Sequence, residues 1–269
     1  MTRATTSVEA AARAERARVP RRSPWLIRLF AAYVGGYARR HFHAVRVAGQ
    51  ERLEAVDVEG PLVIYLNHPS WWDPLIGLLL ARRFFPGRRH YAPIDEAMLS
   101  RYRFFDRLGF FGVEPGSMRG GLALLRASEA ILGEADTALW LTAQGVFRDP
   151  RVRPVALRSG VGHVAARLGA GTVLPVALEY PFWQERLPEA LVEVGEPVRV
   201  ERGSGWSGEQ WTRELAGRLE ATMDRLAERA IERDAGGFRT LVAGRSGVGG
   251  VYDVWRRMRG EADLDHPAG

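Results

Sequence analysis

From residue 55 onward short apolar runs alternate with stretches of helical periodicity, the pattern of a sheet covered by helices. Runs at 62–66, 90–94, 110–113, 138–142, 172–178 and 191–194, each bounded by Gly, Pro or charged residues, read as strands. Between them the periodicity predicts helices over 74–83, 118–132, 160–168 and 209–233. In the last of these Trp211, Leu215, Leu219, Met223 and Leu226 recur at helical spacing, a stripe that faces the core. The fold class that follows is α/β: a mixed, mainly parallel central sheet flanked by helices, preceded by an amphipathic helical segment.

That segment covers residues 24–48 and opens at Pro24. At about 100° per residue, Arg28, Arg39, His43 and Arg46 share one arc, with Leu26, Phe30, Tyr33 and Tyr37 opposite. Arg28 interrupts an apolar stretch already too short to span a bilayer, so the expected role is a helix lying flat in a headgroup layer. The alternative is a helix packed on its own domain. Arg21-Arg22 imitates an export signal but lacks an unbroken apolar region and a cleavage site, which places the protein, as an expectation, on the cytoplasmic side of the cell membrane. Residues 1–23 read as a disordered Arg/Ala-rich leader, 49–235 as the main domain, and 236–269 as a Gly-rich tail with a short amphipathic piece near 251–258. The glycine run at 244–250 lacks the Gly-Lys-Ser/Thr ending of a phosphate loop and reads as a linker.

Composition narrows the chemistry. None of the 269 residues is Cys, which excludes disulfides, thiolate zinc sites and a cysteine nucleophile. The six His are scattered without the close pair of a helical zinc motif, so no metal centre is expected. The net charge of +6 is carried entirely by Arg, and ten of the 38 Arg fall in residues 1–48 against two acids, leaving the remainder slightly acidic. A basic end beside an amphipathic segment suits an anionic membrane surface. Nucleic acid is not an expected partner, because the rest lacks interleaved aromatic and basic residues.

The run Pro61-Leu-Val-Ile-Tyr-Leu-Asn-His-Pro-Ser-Trp-Trp-Asp-Pro74 is a buried strand that stops abruptly in polar and Pro-punctuated residues before a helix. Ligands sit at such strand ends in α/β sheets. A tight turn brings His68 and Asp73 together as a dyad in which the carboxylate holds one ring nitrogen as a donor and leaves the other as a base. Taken alone, a His and an Asp five apart occur often by chance, and the same residues then read as a turn histidine and an aspartate capping a helix.

Asn67-His68-Pro-Ser-Trp-Trp-Asp73 resembles the first block, N-H-x-x-x-x-D, of the glycerophospholipid acyltransferase family, of lysophosphatidate and 1-acylglycerol-3-phosphate type. Gly109-Phe-Phe-Gly-Val-Glu114 looks like its second block, Thr142-Ala-Gln-Gly-Val-Phe-Arg148 like its third, and Val173-Leu-Pro-Val-Ala177 like its fourth, so the resemblance spans roughly residues 45–200. It implies an O-acyltransferase domain over 49–235. His68 and Asp73 are its implied catalytic pair; Asn67, Trp71, Glu114, Arg119, Gln144, Gly145, Arg148 and Pro175 are the implied substrate-binding residues. No cofactor is bound, and acyl-coenzyme A or an acyl carrier protein serves as co-substrate. The backbone around Gln144-Gly145 is the expected source of oxyanion donors. Trp71 and Trp72 line the acyl chain or fill core, and Arg clusters at 82–89 and 148–153 are expected to meet the anionic donor.

Departures bear on the acceptor. Pro115 stands where the second block has a base, and Gln144 replaces the acid of the third, with the Arg displaced to Arg148 and followed by Arg151 and Arg153. Arg119 at a predicted helix start recovers a phosphate contact or is a solvated surface residue. A lysophospholipid or glycerol-phosphate-type acceptor and a glycolipid or glycosylated isoprenoid are both left open, as are a thioesterase and a non-catalytic lipid-binding protein.

Overall fold

A computed structural model describes residues 19–54, 56, 60–201 and 205–246. Most of the leader, the 251–258 piece and the second half of the glycine run lie outside the described residues.

The element order is α1 (Pro24–His41), β1 (Ala44–Ala48), α2 (Gln50–Glu54), β2 (Leu62–Leu66), α3 (Asp73–Phe84), β3 (Arg89–Asp95), α4 (Glu96–Arg101), a 3-10 turn (Arg103–Arg107), β4 (Phe110–Val113), α5 (Met118–Leu132), β5 (Thr137–Thr142), α6 (Gly160–Arg167), β6 (Gly171–Glu179), β7 (Glu189–Val194), β8 (Val198–Val200), α7 (Gly208–Glu232), a 3-10 turn (Ala235–Gly237) and β9 (Arg239–Ala243). Among the described residues nine strands form one sheet in the order β4-β3-β5-β2-β6-β7-β1-β9, with β8 on β6. Strands β4, β3, β5, β2 and β6 run parallel. β7 turns antiparallel to β6, β1 runs parallel to β7, and β9 closes antiparallel to β1. The mixed, mainly parallel sheet expected from the alternation is therefore present.

Every residue of β2 and all but the last of β5 are buried, as a strand covered on both faces requires. One face packs on α5, α6 and α7, where Trp211, Leu215, Leu219, Met223 and Leu226 join the core as their spacing predicts. The other face packs on α1 and α3 through Phe42, Ile64, Ile76, Leu80 and Leu174.

The segment 24–48 is not one helix. α1 ends at His41, Phe42 is extended, and the chain re-enters the sheet as β1. The reason lies far along the chain: buried Glu189 on β7 takes His43 Nδ1 at 2.5 Å and Arg46 Nε at 3.0 Å. His43 and Arg46 thus point at an acid inside the fold rather than along a helix, while Val45 and Val47 fill the core. The division at 235 also shifts, because β9 lies in the stretch read as tail and pairs with β1.

Beside the sheet, Trp140 Nε1 donates to His90 Nδ1 at 3.0 Å and His90 Nε2 donates to the Phe85 carbonyl at 3.0 Å. The Trp140 contact needs the neutral ring, and burial pushes the His90 imidazole down to about 4 despite the Phe85 hydrogen bond. A histidine whose folded value lies below its unfolded one binds fewer protons in the folded state between the two, so stability is full above about pH 6.5 and falls as pH drops toward 4. From pH 7.5 to 5 the expected loss is about 2 kcal/mol from this residue. Urea midpoints across that range should fall more steeply for the wild type than for His90→Gln; equal slopes would remove His90 from the account.

Candidate functional site

The parallel strands end on one edge, and that edge carries His68 and Asp73. β2 ends at Leu66, beside Thr142 of β5 and Val176 of β6. The next residue, Asn67, is fully buried; its Nδ2 donates to the Leu178 carbonyl at 2.9 Å and its Oδ1 accepts from Leu178 N at 2.8 Å. The side chain imitates one more rung of β-pairing just where β2 stops, turning the backbone so that His68 leaves the sheet. Read from sequence as a substrate ligand, Asn67 is instead occupied at both ends by β6.

His68 is held at three points. Its N–H donates to Gln144 Oε1 at 2.9 Å, its carbonyl accepts from Arg148 N at 2.9 Å, and its Nδ1 lies 2.6 Å from Asp73 Oδ2. Asp73 sits at the first position of α3, its carboxyl fully buried. Three donors converge on it: His68 Nδ1 and Ser70 N, the latter at 3.2 Å, on Oδ2, and the Tyr180 hydroxyl on Oδ1 at 2.7 Å. Turn and dyad are thus one arrangement, since the Ser70 contact shapes the turn that presents the carboxylate to the ring.

Burial raises the Asp73 carboxyl above its usual value despite these hydrogen bonds. With Asp73 ionised, Nδ1 carries the ring proton and Nε2 the lone pair, the tautomer a general base requires. The Phe147 ring lies 4.3 Å from the imidazole, centroid to centroid, and is itself exposed.

The third block forms the neighbouring wall. Gln144 is buried, and because it accepts His68 N–H through Oε1 its amide nitrogen remains a donor. Gly145 adopts φ +67, a conformation that disfavours other residues, and an added Cβ would meet the Arg158 side chain at 2.8 Å. Its N–H, read as an oxyanion donor, is engaged by the Thr142 carbonyl at 3.0 Å. Arg148 is exposed beside the dyad, whereas Arg151 pairs with Asp149 and Arg153 with Asp224.

Other sequence-read residues fall further off. Trp71 is exposed and packs edge-on to Tyr37, while Trp72 is partly buried against Phe42 and Tyr180, so one of the two faces out and the other fills core. Glu114 and Arg119 share the edge but follow β4 and open α5; three strand spacings separate β4 from β2, about 14 Å. Glu114 accepts from the Ser117 hydroxyl at 2.9 Å, and Arg119 is exposed in the first turn of α5. Pro175 is buried within β6 opposite Tyr65, inside the sheet and below the cleft. Arg88 precedes β3 and Arg89 starts it, at the opposite edge, where Arg88 bonds the carbonyls of Gly60 and Thr137 and Arg89 pairs with Asp136. That part of the 82–89 cluster therefore faces away from the dyad.

Tyr180 escaped the sequence reading because its partner is 107 residues away; its only local signal is its place just past an apolar strand. Among the described residues no group of three or more His, Asp or Glu is set to hold a metal ion, and no helix is long and apolar enough to cross a membrane. Compared with models of known protein families and with curated proteins, the chain matches none.

Proposed function

We propose that the protein is an O-acyltransferase that moves a fatty acyl group from an acyl thioester, acyl-coenzyme A or acyl carrier protein, to a hydroxyl of a lysophospholipid or glycerol-phosphate-type acceptor. The observation that carries this reading is the His68 Nδ1–Asp73 Oδ2 contact of 2.6 Å at the end of β2, formed by residues in N-H-x-x-x-x-D order. His68 Nε2 takes the proton of the acceptor hydroxyl as that oxygen attacks the thioester carbonyl carbon. Asp73 stabilises the imidazolium so formed. The tetrahedral intermediate then collapses, breaking the carbon–sulfur bond, and the imidazolium proton goes to the departing thiolate. No covalent enzyme intermediate is required, which suits a chain without cysteine. Phe147 over the imidazole supports exclusion of water, the competing nucleophile.

A glycolipid or glycosylated isoprenoid acceptor is the second reading. It is favoured by the amide at Gln144 in place of an acid, and by the pairing of Arg151 and Arg153 with Asp149 and Asp224, which draws both cations away from a phosphate. Transfer of radiolabelled acyl groups from both donors to a panel of lysophosphatidate, lysophospholipids, glycolipids and extracted membrane lipid tests the function and separates the acceptors. Labelled free acid formed equally with and without acceptor would mean a thioesterase.

The same reading includes a peripheral membrane location on the cytoplasmic side, with the membrane surface and lipid acceptor as partners. α1 supports it in altered form. Ala31, Val34 and Ala38 pack inward, and Trp25, Leu29 and Tyr33, one turn apart, are each 60–62% exposed beside Arg28, Arg39 and Arg40. The apolar stripe available to lipid is therefore Trp25–Leu29–Tyr33, while Leu26, Phe30 and Tyr37 are half-buried against the domain. Ring contacts run from Tyr33 through Tyr37 to Trp71, next to the dyad loop. Each exposed side chain entering the headgroup layer contributes on the order of 1 kcal/mol. Wild type is expected to float with phosphatidylcholine–phosphatidylglycerol vesicles, less so in high salt, while the Trp25→Ser, Leu29→Ser, Tyr33→Ser triple variant stays behind with an unchanged far-UV spectrum. Equal flotation of the two would place lipid contact elsewhere. Truncation of residues 1–48 is no substitute, since it strips β1 from between β7 and β9.

A further inference from the structure

We propose that Tyr180 is a positioning residue of the dyad: its half-buried phenol anchors Asp73 Oδ1 and thereby holds Oδ2 on His68 Nδ1. The kinetic half of this inference rests on the acyltransferase reading; the geometric half does not. The Tyr180 hydroxyl donates to Oδ1 at 2.7 Å while His68 Nδ1 and Ser70 N share Oδ2, so the two carboxylate oxygens have separate tasks. A carboxylate held only through Oδ2 by ring and backbone can swing about its terminal torsion; a third point on Oδ1 removes that freedom.

The phenol is itself fixed. Its ring packs edge-on to Trp72 at 5.3 Å and against Phe42 at 5.9 Å, centroid to centroid, and Phe42 in turn meets Trp72 at 4.6 Å. Three elements meet in this cluster: Phe42 leads from α1 into β1, Trp72 precedes α3, and Tyr180 follows β6. Phe42 is a core residue with no polar group, so the cluster packs the ring while the hydroxyl bonds to Asp73. Burial beside the carboxylate raises the phenol far above its usual range, so it remains a donor at any working pH.

The electrostatic consequence has a definite sign. A hydrogen bond to an ionised carboxylate draws off part of its charge. Without it Asp73 is more basic and a stronger partner for the imidazolium, so the proton affinity of the His68–Asp73 pair rises. The titratable groups that act on Asp73 are His68 and Tyr180. Phe42 and Trp72 are uncharged, and Glu179, the preceding residue of β6, interacts electrostatically with Arg151, Asp149 and Arg153 instead. A shift on removing the phenol hydroxyl is thus attributable to that hydrogen bond.

The test is Tyr180→Phe, which keeps the ring and removes the hydroxyl, with two readouts. NMR titration of the His68 ring in the full chain without substrate is expected to move up by about half to one pH unit, one unit being a tenfold change in proton affinity. Acyl transfer should show kcat lowered about tenfold with KM within about twofold, since Tyr180 acts through Asp73, and the acid limb of the rate profile should rise in step with the titration. Substituting a ring-fluorinated tyrosine at 180, a stronger donor, should shift the His68 titration the opposite way, which keeps the proposal open to test if the Phe variant folds poorly. A His68 titration unchanged by both replacements would overturn it. A shifted titration in a protein that transfers no acyl group would uphold the positioning role and remove the acyltransferase reading alone.

Discussion

Asp73→Asn is expected to lower acyl transfer by about four orders of magnitude while leaving the fold intact, the scale seen when the acid of a histidine–carboxylate pair loses its charge. The arrangement around the carboxyl explains why an isosteric amide fails. His68 Nδ1, Ser70 N and the Tyr180 hydroxyl all donate to it, two on Oδ2 and one on Oδ1. An asparagine offers one accepting oxygen and one donating nitrogen. With the nitrogen toward His68, Nδ1 must accept and the ring proton moves to Nε2, which abolishes the base. With the nitrogen toward Tyr180, the phenol must turn from donor to acceptor and the imidazolium formed in the reaction has no charge beside it.

Stability should move the other way. Because burial raises the Asp73 carboxyl in the folded state, this group costs stability once it ionises, and the cost grows as pH rises from the unfolded value through the folded one. Asp73→Asn removes that cost, so at neutral pH the variant should melt no lower than the wild type while being almost inactive. A lower melting temperature with proportionate loss of activity would mean that Asp73 serves the fold instead.

Replacing His68 by alanine is the second large effect. Loss of a general base lowers rates by about two to four orders of magnitude, and no other described histidine stands in reach of Asp73. His90 is tied to Trp140 and Phe85, and His43 to Glu189. Alanine also leaves the Asp73 carboxylate without its ring partner in a buried place, so part of the variant's cost falls on stability at neutral pH. His68→Gln refills that space with a group that can donate but cannot carry the proton, and should be as inactive as His68→Ala yet more stable.

How much of this was legible depended on how local the information was. Leu62–Leu66 and Phe110–Val113 show their full extent in the sequence because apolar runs stop at Gly, Pro or polar residues on each side. The dyad was legible because His68 and Asp73 lie on one turn. β1 was not, since Arg46 in its centre carries a charge neutralised by Glu189, 143 residues on, and the arc joining Arg46 to Arg28 looked helical. Asn67 looked like a ligand because its motif position says nothing of Leu178, whose backbone takes both its polar atoms. Tyr180 was hidden for the same reason. Arg88 and Arg89 looked available to an anion until β3 placed them at the edge away from the dyad, held by carbonyls and acids.

The most direct measurement is transfer of a radiolabelled acyl group from thioester to lipid hydroxyl by wild-type protein and by His68→Ala at equal folded concentration, with the labelled lipid product separated from free acid. The account predicts labelled lipid from the wild type and at least about a hundredfold less from the variant. Equal product from both would contradict it, for then the base would be another group and the geometry at the end of β2 would carry no chemistry.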